Sequence, residues 1–272
     1  MVRTLSEAKD LRPIEQQARQ TYYSADRVSR QFLSAGNVAV LPLRGLITHR
    51  ESLLGLLFGG TSITGFRAAF RQALRDPSVS AIIFDVDSPG GEVSGVEELS
   101  AEIFAARGRK AMIAAANTMM ASAAYWIASA ADEIVVTLSG SVGSIGVLTA
   151  HEDLSRATEM AGVNVTLISA GKYKTEANAF EPLSVESRAH MQSLVNDYAK
   201  LFFDAVGRNR DVPSHSVRTG FGQGRMVSAH HAPPELMADR VATLDQTVRQ
   251  LMNRGSGPKL SAMSRREMQL YQ

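Results

Sequence analysis

The sequence predicts an α/β fold in which a mostly parallel sheet is covered by helices. Short runs rich in β-branched apolar residues alternate with segments of helical spacing. Runs such as Val79–Val86 are largely apolar, as expected of strands buried on both faces. The glycine turn at Gly90-Gly91 and the serine at Ser122 each follow a run of this kind, and α/β folds gather their sites at the carboxyl ends of strands.

The chain has 272 residues, 44% of them apolar, enough for a sizeable core. Residues 1–36 read as a polar N-terminal arm, with a charged helix over Leu5–Gln20 whose apolar positions are sparse. Residues 37–254 form the main domain, and residues 255–272, opening on Gly-Ser-Gly-Pro, a flexible C-terminal tail.

Asn37–Leu43 is the first buried strand. Leu53–Gly60 is a loop, because Gly55, Gly59 and Gly60 interrupt its apolar residues; such a loop suits a groove or a subunit contact. Ser62–Leu74 has helical spacing, with Ile63, Phe66, Phe70 and Leu74 on one side, and Asp76-Pro77 ends it. Val79–Val86 is a strand. Ser94 then caps a helix over Gly95–Ala106, with Glu97 completing a capping box. Lys110–Ala116 is a strand, Thr118–Ala130 a helix, and Glu133–Thr137 and Ile145–Ala150 are strands. Asp153–Ala161 is a short helix and Val163–Ile168 the next strand. Ser184–Val206 is a long amphipathic helix with apolar Met191, Leu194, Val195, Tyr198, Leu201 and Phe202. Leu236–Val241 and Thr243–Met252 close the fold.

Composition narrows the chemistry. The absence of cysteine excludes disulfides, zinc-thiolate sites and a cysteine nucleophile, and suits a reducing compartment. The net charge is +2, with both signs mixed along the chain, so nucleic acid is not an expected partner. The six histidines lack metal-ligand spacing, and neither a metal nor a cofactor is expected. Gly140–Gly146 is glycine-rich but has no phosphate-loop lysine. The first thirty residues hold no secretory signal, and Leu53–Phe58 is far shorter than the ~20 residues of a membrane span. A soluble, cytoplasmic protein is the expectation.

The remaining pattern suits acyl transfer, which needs a nucleophile, a base and donors for an oxyanion. Ser122 opens a helical pattern among small residues that let a carbonyl approach its hydroxyl. The N–H of Ala123 is free at that helix start, and the glycine turn offers a second donor, Gly91. On the residues alone two bases compete. His151 follows the strand Ile145–Ala150, and Lys174 follows the Gly171 turn. A lysine acts as a base only as the neutral amine, which burial favours, and a hydroxyl such as that of Ser144 would orient it.

Four segments decide between them: DSPGG from Asp87, MASAAYWIASAADEI from Met120, GSVGSIGV from Gly140 and GKYK from Gly171. In this order and spacing they resemble the signal peptide peptidase family of Ser–Lys serine peptidases, a likeness that runs from about Asn37 to Leu251. The resemblance implies a Clp-protease/crotonase-like fold of repeated ββα units. It implies Ser122 as nucleophile, Lys174 as general base, Ser144 as the serine that holds the lysine, and Gly91 and Ala123 as oxyanion donors. His151 is set aside, because related Clp proteases with a histidine base lack the GSIGV and YK segments.

Two departures refine the resemblance. Ala123 and Ala124 stand where cellular members usually have two glycines, and no membrane anchor is evident. Both make the chain look more like the branch of tailed bacteriophages and prophages, similar to the capsid assembly (prohead) proteases. The closing segment GRMVSAHHAPPELMADRVATLDQTV also resembles that branch, although Met237 stands where glycine is common.

The implied function is serine endopeptidase, cutting scaffold, portal or coat protein in the host cytoplasm or the assembling prohead. The implied assembly is a homo-oligomer, in which Lys174 can reach a neighbour's Ser122. Three alternatives stand beside it. One is a cytoplasmic enzyme degrading peptide fragments, distinguished by its genomic neighbours. Another is a non-catalytic assembly module, against which the intact Ser122, Lys174 and Ser144 argue. The last is a crotonase-type acyl-CoA enzyme, for which paired glutamates are missing.

Overall fold

The computed structural model describes residues 38–51 and 59–254. The expected N-terminal arm, most of the apolar loop after Leu53 and the C-terminal tail lie outside the described residues.

Among the described residues the sheet has eight strands. In chain order they are β1 (Val38–Thr48), β2 (Thr61–Ser62), β3 (Ala81–Gly91), β4 (Ala111–Ala121), β5 (Glu133–Val136), β6 (Ser141–Gly143), β7 (Met226–Ser228) and β8 (Arg240–Val241). The main path runs β2-β1-β3-β4-β5-β8, parallel throughout. One edge of β4 serves two partners. Its first half pairs with β5 at Ile113–Ala116, and its second half with β6 at Met119–Ala121. β7 closes this fork antiparallel to β6.

Seven α-helices accompany the sheet among the described residues: α1 (Ile63–Arg75), α2 (Val96–Ala105), α3 (Ala123–Ala128), α4 (Ser155–Met160), α5 (Val185–Arg210), α6 (Ser214–Thr219) and α7 (Leu244–Arg254). Side chains alternate across each strand, so each face has its own core. On one face Phe66 and Phe70 of α1 meet Phe84 of β3 edge-on, at centroid distances of 5.5 and 6.0 Å. On the other, Val248 and Leu251 of α7 cover Val38, Ile83, Ile113 and Val135. α1 starts where its sequence indicates: the Ser62 hydroxyl accepts from the Gly65 N–H at 3.1 Å, a cap worth about 1 kcal/mol.

Four element assignments are corrected. The helix expected over Thr118–Ala130 begins only at Ala123, because β6 supplies a ladder that keeps Met119–Ala121 extended. The Ser94 capping box does not form. Gly95, at φ 82°, precedes α2 without a side-chain cap, and Glu97 instead accepts from Trp126 Nε1 at 3.0 Å and Arg208 Nη1 at 2.9 Å. Ile145–Ala150 and Val163–Ile168 have strand composition but join no ladder.

The first of these segments runs into, and the second lies within, one exposed stretch. From Leu148 to Leu201 the only buried residue is Ser187. Large apolar side chains lie bare along this stretch, among them Leu148, Met160, Ile168 and Val185, each more than four-fifths exposed. α5 crosses the boundary. Leu194, Tyr198 and Leu201 on its first part are exposed, whereas Phe202, Ala205 and Val206 enter the core. No helix among the described residues is long and apolar enough to cross a membrane.

Candidate active site

Ser122 stands at the junction of β4 and α3, at φ 51° and ψ −124°. A non-glycine residue at positive φ costs of order 1–3 kcal/mol and persists only where its surroundings enforce it. Here they do. The Ser122 N–H donates to Gly143 O on β6 at 2.8 Å, and Ser122 O accepts the first helical bond from Trp126 N at 3.0 Å. Downstream, α3 is anchored by Tyr125 and Trp126, both buried. Tyr125 Oη donates to Met237 O at 2.9 Å, and Trp126 stacks on Phe202 at 4.4 Å with 8° between the planes. A sharp strand–serine–helix turn between rigid elements leaves the hydroxyl half-buried, at the sheet's carboxyl end.

Ser144 arrives beside it by register. Ala121 pairs with Gly143, so Ser122 and Ser144 each lie one residue past the same rung of adjacent strands. Ser144 also has φ 51°, and its N–H donates to Arg225 O at 2.9 Å.

The glycine turn lies on the other side. Gly90, at φ 97°, touches Ser122 so closely that a Cβ there would stand 2.6 Å from the Ser122 Cβ and 3.0 Å from Ala123 N. Gly91 is pressed on β1, and a Cβ there would fall 2.0 Å from Ile47 O. The Ala123 N–H, first in α3, has no acceptor within the helix. Gly90 thus lies against Ser122 and Ala123, Gly91 follows it directly in β3, and Ser144 stands one residue past the rung that pairs Ala121 with Gly143. Leu46 and Met119 are both partly exposed, and Thr118 Oγ1 donates to Asp87.

Lys174 is not gathered there within the single chain. It lies exposed on the turn that follows Gly171, inside the bare stretch between Leu148 and Leu201, and no hydrogen bond joins it to Ser122 or Ser144 among the described residues. His151, the competing base, is engaged elsewhere, with its Nε2 2.9 Å from Asn178 O. Sequence reasoning left three contributors unassigned: Gly143 as the acceptor that fixes Ser122, Gly90 as the contact surface, and Ser88, which bridges Gly45 and Gly90. Glycines and a serine interrupting strand patterns were the available signal.

This architecture is the Clp-protease/crotonase-like fold. It superposes on the 1510-N membrane-bound stomatin-specific protease with a TM-score of 0.51, over 80% of this chain and 85% of that one, at 13% identity. The family follows from sequence: the model of peptidase family S49 matches residues 105–256, more than half of the chain, and the chain belongs to that family. It is 36% identical over 180 residues to capsid assembly protease C of Escherichia phage lambda, covering 66% of this chain and 41% of that protein. It is 34% identical over 180 residues to the head-tail preconnector protein GP5 of Enterobacteria phage P21, covering 66% of this chain and 36% of that protein. The chain thus spans well under half the length of these two relatives, and the expected kinship with the phage branch is borne out.

Proposed function

We propose that the chain is a serine endopeptidase with Ser122 as nucleophile and Lys174 as general base, the lysine being supplied by a second copy. The observation that carries this reading is Ser122 itself, locked at a strained junction with Gly90 against its Cβ and Ser144 one rung away.

The neutral amine takes the proton of Ser122 as its Oγ adds to a peptide carbonyl. The resulting oxyanion receives the N–H groups of Gly91 and Ala123. The ammonium then protonates the leaving amine, and water hydrolyses the acyl-enzyme by the same route in reverse. One oxyanion donor is typically worth about 10²–10³ in rate. Ser144 orients the amine.

A solvated lysine is protonated near neutral pH, so the base must be covered to work. The bare apolar side chains around Lys174 supply a reason for it to be covered, because a second copy burying them removes water from the amine at the same time. Likeness to the lambda capsid assembly protease supports scaffold, portal or coat protein as the substrate, bound as an extended strand near the glycine turn.

Incubation with a fluorophosphonate probe, followed by intact-mass analysis, tests the reading. One adduct per chain, mapped to Ser122 and lost in Ser122→Ala, is expected. An unlabelled wild-type protein, or a Ser122→Ala protein that still cleaves co-expressed coat or scaffold protein, overturns it.

A further inference from the structure

The oxyanion donors proposed above include one of two adjacent glycines, and one side chain engages the N–H of the other. Between β1 and β3 the parallel register breaks near Gly45, which sits at φ 62°, and β3 turns at Gly90, at φ 97°. One side chain joins these irregularities. The hydroxyl of Ser88, 1% exposed, donates to Gly45 O at 2.6 Å and accepts from the Gly90 N–H at 3.1 Å. Pro89 between them has no N–H to satisfy and a fixed φ.

Successive N–H groups of a strand point to opposite sides. The Gly90 N–H is held by Ser88, and the Glu92 N–H donates to Ile47 O of β1 at 2.9 Å. Both therefore face β1. Strand alternation then turns the intervening Gly91 N–H away from β1, to the side on which β4 pairs with β3. Gly91 is closely packed on β1, since a Cβ added there would fall 2.0 Å from Ile47 O.

We propose that Ser88 is a positioning residue for the oxyanion site: by holding the Gly90 N–H against the Gly45 bulge, its hydroxyl turns the Gly91 N–H toward the carbonyl that Ser122 attacks. A hydroxyl is needed because the bridge requires one donor and one acceptor on the same atom. This inference rests on Ser122 being the nucleophile.

The test is steady-state cleavage of a peptide by wild type, Ser88→Ala and Ser88→Cys, with rates counted per fluorophosphonate-titrated site. A small displacement at a reacting centre costs up to about 100-fold. In Ser88→Ala, kcat per titrated site is expected to fall about 10- to 100-fold, with KM within about twofold. Binding of a peptide aldehyde, whose adduct carries the oxyanion, should weaken in parallel, while binding of a product peptide should not change. Ser88→Cys, a weaker donor, should lie between the two. Unchanged kcat per titrated site in either variant overturns the proposal, as does a loss confined to KM. If Ser88→Ala does not fold, Ser88→Cys decides by the same criterion. Failure of wild type to be labelled at Ser122 overturns the nucleophile assignment itself, which separates the two ideas.

Discussion

Gly90 and Ser122 meet backbone against side chain, with room for no atom between them: a Cβ at Gly90 would lie 2.6 Å from that of Ser122. The glycine also sits at φ 97°, where an L-residue is strained. Gly90→Ala must therefore either push Ser122 off its junction or unwind the end of β3. Labelling of Ser122 by a fluorophosphonate should slow at least about 100-fold, the scale of a misplaced reacting group. Wild-type labelling by the alanine variant would mean that the contact has no part in placing the hydroxyl.

If Lys174 serves a neighbour's Ser122, damage to the two residues can be divided between chains. Ser122→Ala and Lys174→Met should each be inactive alone. Co-refolded in equal amounts they should recover about a quarter of wild-type cleavage, the share of sites that pair an intact serine with an intact lysine. No recovery in assemblies shown by mass to be mixed would place both residues in one chain.

The chain contains a single tryptophan, and it lies in α3, the helix that Ser122 precedes. Trp126 is 1% exposed and stacked on Phe202 of α5. Removing that ring opens a cavity worth roughly 3–5 kcal/mol. Phe202→Ala should lower the urea midpoint accordingly and shift the native emission to longer wavelength. An unshifted spectrum with full stability would show that α5 does not hold α3 in place.

Much of this arrangement was legible in advance, and the rest failed for physical reasons. The helix of Ile63, Phe66 and Phe70 and the strand through Phe84 followed from periodicity, because each buries its face within this chain. The start of α3 did not follow, because Thr118–Ala121 read as helix, whereas pairing of Met119–Ala121 with β6 keeps them extended. Ser94 and Glu97 had capping-box spacing, but the Glu97 carboxylate is drawn to Trp126 and Arg208. Val163–Ile168 had a strand's composition, yet among the described residues no strand pairs with it. For the site, motif order picked out Gly91, Ser122, Ala123 and Ser144; Gly90 next to Gly91 touches Ser122 and Ala123, and Ser144 follows the rung that pairs Ala121 with Gly143. The surroundings of Lys174 were beyond reach, since nothing in its own segment records what packs on it.

Arg210, with a side chain 2% exposed, pairs with Asp239 through two hydrogen bonds of 2.8 and 3.0 Å and donates to Leu236 O. Removing one partner of a buried pair strands the other charge and costs about 3–5 kcal/mol. Asp239→Ala should lose that much in denaturant unfolding and should free the Ile134 N–H that Asp239 accepts at 2.7 Å. A loss under about 1 kcal/mol, the scale of a surface pair, would show that water reaches Arg210.

Asp204 joins α5 to α6, accepting from Lys200 at 2.6 Å and from Ser214 at 2.7 Å. These bonds, that of Lys200 foremost, hold its carboxyl below the ordinary value of 3.8. A carboxyl depressed on folding stabilises the protein above its unfolded value, and the effect is lost as pH falls through the folded one. The stability advantage of wild type over Asp204→Asn should therefore be constant above about pH 5 and shrink below pH 4. An advantage that grows toward acid would reverse the sign and refute the assignment.

The bare stretch from Leu148 to Leu201 has a consequence for timing. If the base becomes competent only when another copy lies over it, catalytic rate per chain rises with crowding. A freshly synthesised chain, dilute among other proteins, is then dormant. Gathered into a confined volume with its fellows, it ignites, and no separate activator is required to choose the moment.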